Sequence, residues 1–240
     1  MTLSFDGFAP AVEIADLIRS KKISPLEFME WSLERIQELN PRFNAIVSMD
    51  ADKALEEARK QTALIASGHE IGPFGGLPFA VKDLENAAGF ATTLGSRLYQ
   101  DNVVDFDDVL VARLKNAGAI LVGKTNTPEF GHIPFTDNDL FGPTRNPWDE
   151  TRTPGGSSGG SAAALATAML PLATASDGGG SIRIPACYSG LYGLKPSQGR
   201  VPIAPRVRHP WLSISCYGPL TRSVKDAARY LDIVAGPHDE

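Results

Sequence analysis

The stretch from Thr153 to Ala186, TPGGSSGGSAAALATAMLPLATASDGGGSIRIPA, sets two bursts of glycine and serine around one apolar run. Glycine and serine are the usual composition of flexible coil, but AAALATAMLPLATA is too apolar to serve as an exposed tether. The run has to be buried. Both bursts then become tight turns pinned against a core, and any fold proposed for the chain must hold them there.

The 240 residues are enough for one large domain or two small ones, and 42% hydrophobic with 21% charged residues is the balance of a globular protein. A net charge of −5 argues against a chain whose main work is gripping nucleic acid. The amino terminus shows no basic segment followed by an apolar one, and no run reaches the length of a membrane span, so the expectation is a cytoplasmic, soluble protein. Cys187 and Cys216 form no C-x-x-C pair and are expected as buried free thiols, and the scattered histidines His69, His132, His209 and His238 suggest no metal site.

Local signals place the elements. Ser24, Pro25 and Glu27 form a capping box that opens a helix with the stripe Leu26, Met29, Leu33 and Ile36, expected to end at Pro41. A strand is expected near 45–47, a helix over about 51–67, a strand over 78–81 ending at Lys82, a helix over 107–118 and a buried strand over 119–122. Another strand is expected over 171–175, and a helix capped by Ser223 runs to about Ala235. Strands alternating with helices indicate an α/β protein with a mixed or parallel sheet. The chain stops just after that last helix, as a longer protein cut within its fold would.

Two motif matches fail on physics. GAILVGKT, from Gly118 to Thr125, satisfies the phosphate-loop pattern, yet Ala119, Ile120, Leu121 and Val122 favour a buried strand where that loop needs a flexible turn before a helix. GGSSGG satisfies G-x-S-x-G around Ser157 and Ser158, but the preceding DETRTP is charged and turn-rich, unlike the strand a nucleophile elbow requires.

The second burst, SDGGGSIRIP, keeps its chemistry. Successive glycines allow backbone N–H groups to converge beside the Ser181 hydroxyl, the geometry of an oxyanion hole next to a nucleophile. From these residues alone, a glycine turn without chemistry is an equal reading. Lys82, at the end of an apolar strand, could serve as the activating base, because burial disfavours its charge. To work near neutral pH it must lose its proton about 3 pH units below the ordinary lysine value. The competing reading pairs Lys82 with Asp83 or Glu85 at the surface.

GGSSGGSAAALA, SDGGGSIRIPA, GLKPSQGRV, FAVKD, LVGKTNTPEF and GPTRNPWD, in this order and spacing, resemble the amidase signature family of serine hydrolases from about Val12 to Pro237. The resemblance implies an amidase-signature fold: a mixed β-sheet core covered by helices on both faces, with its C-terminal part missing here. It implies one domain over 1–240, with a helical part at about 1–70 and a catalytic core at about 71–240. It implies a Ser-Ser-Lys triad in which Ser181 is the nucleophile, Ser157 the bridging serine after a cis peptide bond, and Lys82 the base. The backbone N–H groups of Gly178, Gly179, Gly180 and Ser181 match the oxyanion hole.

The implied reaction is hydrolysis of a small-molecule amide through an acyl-enzyme, with no cofactor, metal, membrane or direct nucleic-acid partner. A second copy of the chain or a C-terminal half is the macromolecular partner this leaves open. The turn departs from the family at Ser176 and Gly178, where many members carry threonine or a larger residue. The amidotransferase A subunit that amidates mischarged tRNA shares the triad and stands as the alternative, beside an inert fragment. SIRIPA, where that subunit often has glutamine before the proline, and the loop PRVRHPW favour a general amidase. Arg206, Arg208, His209 and Trp211 are candidates for one pocket rim, with a solvated surface loop at least an equal reading.

Overall fold

The computed structural model describes residues 5–205 and 214–238. Arg206, Arg208, His209 and Trp211 lie outside the described residues.

A short helix, α1 (Ala11–Arg19), buries Ala11, Ile14, Ala15 and Ile18 along one stripe. The next, α2 (Pro25–Phe43), opens on the capping box as expected, with Ser24 accepting from the Glu27 N–H. It does not end at Pro41. Proline carries a helical φ already, so one more turn follows, and the helix stops where Asn44 takes a left-handed φ of 50°. The Asn40 side chain then accepts from the N–H groups of Ala45 and Ile46 and steers the chain into the first strand.

That strand, β1 (Ile46–Met49), leads to α3 (Ala51–Ala66) and then to β2 (Pro78–Lys82). After α4 (Val109–Asn116) comes β3 (Ile120–Thr125), which continues straight through the GKT of the phosphate-loop match; the pattern is a turn followed by a buried strand. The apolar run between the two glycine bursts supplies α5 (Gly159–Ala166) and β4 (Leu172–Ala173). The remaining elements are β5 (Ser176–Asp177), α6 (Arg183–Ser189), β6 (Tyr192–Gly193), β7 (Cys216–Tyr217), β8 (Leu220–Thr221) and α7 (Val224–Val234).

The main sheet is mixed, with strand order β1-β3-β2-β4. Its central β2 runs parallel to both β3 and β4, while β1 is antiparallel to β3. β5 pairs with β7 and β6 with β8 in two small antiparallel ribbons.

Alternation along β2 divides the core into two layers. Phe79 and Val81 pack with Ile14, Leu110, Leu114 and Tyr230 from α1, α4 and α7. Ala80 packs with Met29, Ile36, Ala54, Ala58 and Ala163 from α2, α3 and α5. Helices thus cover both faces of the sheet, and truncating the fully buried Phe79 to alanine would cost about 3–5 kcal/mol.

The second layer is the one that positions the site. Gly160 allows α5 to press against the chain leaving β3, since a Cβ there would lie 2.3 Å from the Asn126 backbone nitrogen. Among the described residues, no helix is long and apolar enough to cross a membrane. Cys216 is buried as expected, but Cys187 is exposed, because α6 turns that side outward.

Candidate active site

Lys82 is the last residue of β2, and alternation sends its side chain into the same layer as Ala80, toward the start of α5. It is completely buried, as are Asp83 and Glu85, so the surface-pair reading fails. Its Nζ donates to three hydroxyls: Ser157 at 2.8 Å, Ser158 at 2.9 Å and Ser176 at 3.1 Å. An ammonium has three protons, and here each finds an acceptor. Burial pulls Lys82 down to about 8, against the opposing charges of Glu85 and Asp177, which hold it up.

The charge balance has a chemical meaning. A neutral amine keeps two protons and gains a lone pair, so one of the three hydroxyls must turn donor toward it. Ser158 already directs its proton to the Ser176 carbonyl at 3.4 Å. Neither Ser157 nor Ser176 has such a commitment among the described residues, and Ser157 is the nearer of the two to Nζ, at 2.8 Å against 3.1 Å. The peptide bond from Gly156 to Ser157 is cis.

Ser181 lies in the turn between β5 and α6, half-buried. Among the described residues its hydroxyl makes no hydrogen bond, so the structure joins Lys82 to Ser157 but does not join Ser157 to Ser181. Catalytic hydrogen bonds are commonly loose without substrate. The turn itself is rigidly held by Asp177, whose carboxylate accepts from the N–H groups of Gly180 at 2.7 Å and Ile182 at 3.1 Å and from both arms of the Arg183 fork. Burial works to raise Asp177, but Arg183 and these backbone donors outweigh it and hold the carboxyl below its usual range.

This division of labour separates the backbone donors. Gly180 spends its N–H on Asp177, whereas those of Gly178, Gly179 and Ser181 make no hydrogen bond among the described residues. Three backbone donors of this turn are therefore unspent among the described residues.

Sequence reasoning misses several members of this cluster. Ser158 and Ser176 stand in the sequence only as letters of a motif. Thr174 accepts from the Lys82 N–H at 2.8 Å and donates to the Glu85 carboxylate. Lys124 is equally buried, 3.6 Å from Asp83, and donates to the Glu85 carbonyl and the Thr92 hydroxyl. A second lysine ending an apolar strand, in LVGKT, is the signal available for it.

A buried lysine held by three serines, beside a glycine turn with unspent backbone donors, makes a serine–lysine site on an α/β scaffold. The chain belongs to the amidase family, whose model matches residues 27–240. It is similar to the acylamidase of Rhodococcus erythropolis, 43% identical over 95% of this chain and 47% of that protein. It is as similar to the A subunit of the glutamyl-tRNA(Gln) amidotransferase of Acidothermus cellulolyticus, 43% identical over 95% of this chain and 45% of that one.

Among solved structures, a bacterial aryl acylamidase of the amidase signature family superposes with a TM-score of 0.91 at 38% identity, covering 96% of this chain and 48% of that chain. The peptide amidase of Stenotrophomonas maltophilia superposes at 0.86 and 33% identity, with 96% and 48% covered. The fold is that of amidase signature enzymes, of which it spans about half. The chain spans about half the length of the curated relatives it matches.

Proposed function

We propose that the chain carries the acylating half of an amidase that hydrolyses a linear carboxylic amide, with Ser181 as nucleophile, Ser157 as relay and Lys82 as base. Neutral Lys82 accepts the Ser157 proton while Ser157 accepts that of Ser181, whose oxygen bonds to the amide carbon. The carbonyl electrons move onto oxygen, which the N–H groups of Gly178, Gly179 and Ser181 stabilise; Gly180 joins them only if Asp177 releases it. Collapse of the intermediate breaks the carbon–nitrogen bond, and the relay returns a proton to the departing amine or ammonia. Water then enters, loses a proton along the same path, and releases the acid from Ser181.

The observation that carries this reading is the Lys82–Ser157 contact at 2.8 Å with the lysine pulled down to about 8. On the same reading the substrate is a small amide met in the cytoplasm, the chain is a single domain with a helical part at about 1–70, and no metal or cofactor enters the chemistry.

Treatment with a fluorophosphonate, followed by intact mass and peptide mapping, tests it. One adduct on Ser181, absent from Ser181→Ala, is expected. No adduct on a folded sample rejects the reading and favours an inert fragment.

The amidotransferase component is the second reading, favoured by an identity equal to that of the acylamidase. Ile184, standing before Pro185 in α6, weighs for the general amidase. Glutaminase activity with partner proteins in a pull-down would decide for the amidotransferase.

A further inference from the structure

Glu85 is a carboxylate with no role in the steps above, yet it is fully buried three residues beyond Lys82. One oxygen, Oε2, accepts from the Thr174 hydroxyl; the other, Oε1, is buried with no hydrogen-bond partner among the described residues. Thr174 has one proton, and its oxygen already accepts from the Lys82 N–H at 2.8 Å. The Thr174 hydroxyl donates to Glu85 Oε2 while its oxygen accepts from the Lys82 N–H. The carboxyl and the end of β2 are thus fastened to the same threonine.

We propose that Glu85 is a positioning residue for Lys82, its carboxylate supplying the buried negative charge that holds the proton on the lysine and so decides how much free amine stands among the serines. This rests on Lys82 being the base of the proposed reaction.

The groups facing Glu85 come from every neighbouring element: Lys82 on β2, Lys124 on β3, Asp108 at the start of α4 and Tyr230 on α7. Lys82 itself faces Glu85 and Asp177, while Lys124 faces Asp83, Glu85 and Asp108. Burial outweighs Lys82, Thr174 and Lys124 and leaves Glu85 raised above the usual carboxyl range, and Glu85 is the foremost charge holding Lys82 up. Replacing the carboxylate by an amide removes that charge at nearly constant shape.

The test reads the lysine directly, without turnover. The chain is labelled with lysine carrying 13C at Cε, and the Lys82 signal is identified by its loss in Lys82→Arg. In the unaltered chain its midpoint is expected near pH 8. Glu85→Gln should lower that midpoint by about one pH unit or more, while Glu85→Asp, which keeps the charge, should stay closer to the original.

A midpoint unchanged or raised in folded Glu85→Gln overturns the proposal. If that variant does not fold, Thr174→Val takes its place: removing the hydroxyl that stabilises the carboxylate should also lower the midpoint, and an unmoved value there overturns it equally. Fluorophosphonate labelling of the same samples keeps the two readings apart, because loss of labelling at Ser181 with an intact Glu85 effect defeats only the proposed reaction.

Discussion

Lys82 and Ser157 stand 75 positions apart in the chain and 2.8 Å apart in space, one ending the central strand and the other preceding a helix laid across it. The contact is between a buried cation and a hydroxyl, so it can be removed without opening a cavity. Lys82→Met keeps nearly the same volume but leaves Glu85 and Asp177 without the buried cation that faces them, which should lower the urea unfolding midpoint. Labelling of Ser181 by a fluorophosphonate should fall about 10²- to 10⁴-fold. A variant that labels at the normal rate would remove Lys82 from the chemistry.

The pH dependence has a definite sign. Lys82 is lowered on folding to about 8 from the ordinary lysine value, so the native chain loses this proton before the unfolded chain does. Its charging penalty is complete below pH 8 and is relieved between about 8 and 10.5, a window in which stability contributed by this group rises with pH. Reactivity should climb with the free amine, about tenfold per pH unit below 8 and level above it. Labelling rates measured from pH 6 to 10 in about half-unit steps check this; a flat profile contradicts it.

Asp177 holds the turn through its backbone donors and Arg183. In Asp177→Asn one acceptor becomes a donor facing the Arg183 fork and the backbone N–H groups of Gly180 and Ile182, at a cost of about 2 kcal/mol or more. The carboxyl is lowered in the folded chain, so its stabilisation is present above the unfolded value of about 4 and disappears as pH falls through the folded one. Urea midpoints of the two chains should therefore converge on acidification. Parallel curves down to the acid transition would refute the role.

Gly131 guards the space over the relay. Its φ is +70°, and a Cβ there would meet Leu84 Cδ1 at 2.6 Å and Ser157 Oγ at 3.3 Å. Gly131→Ala should cost about 1–2 kcal/mol for the left-handed backbone and displace the Ser157 hydroxyl. Slower labelling by about tenfold or more is expected from a folded variant. A normal rate would show that Ser157 is not disturbed from this side.

Local chemistry is legible in the sequence where neighbours in the chain decide the outcome. The Ser24–Glu27 capping box, the strand ending at Lys82 and the burial of the run between the glycine bursts all depend on residues within a few positions of one another. What escapes such reading depends on distant pairing. The helix over Ala11–Arg19 has no side-chain cap at Pro10, and its first turn is tied down by Asp226, whose Oδ1 accepts from Val12 across the fold. Ser158 and Ser176 reach Lys82 only because β2, α5 and β5 converge. Glu85 resembles a surface charge because nothing near it in sequence announces Thr174.

One irregularity in β3 settles which lysine meets the serines. Phe79 pairs with Leu121 but Ala80 pairs with Gly123, so Val122 is an extra residue in the ladder. Past that point odd and even positions exchange sides: Lys124 falls beside Val81 and Thr125 beside Lys82. A single inserted valine thus acts as a parity switch, sorting two chemically identical amines onto opposite sides of one sheet, one donating to Ser157, Ser158 and Ser176 and the other to the Glu85 carbonyl and the Thr92 hydroxyl, beside Asp83. In a strand without it, Lys124 would point toward the serines as a second cation.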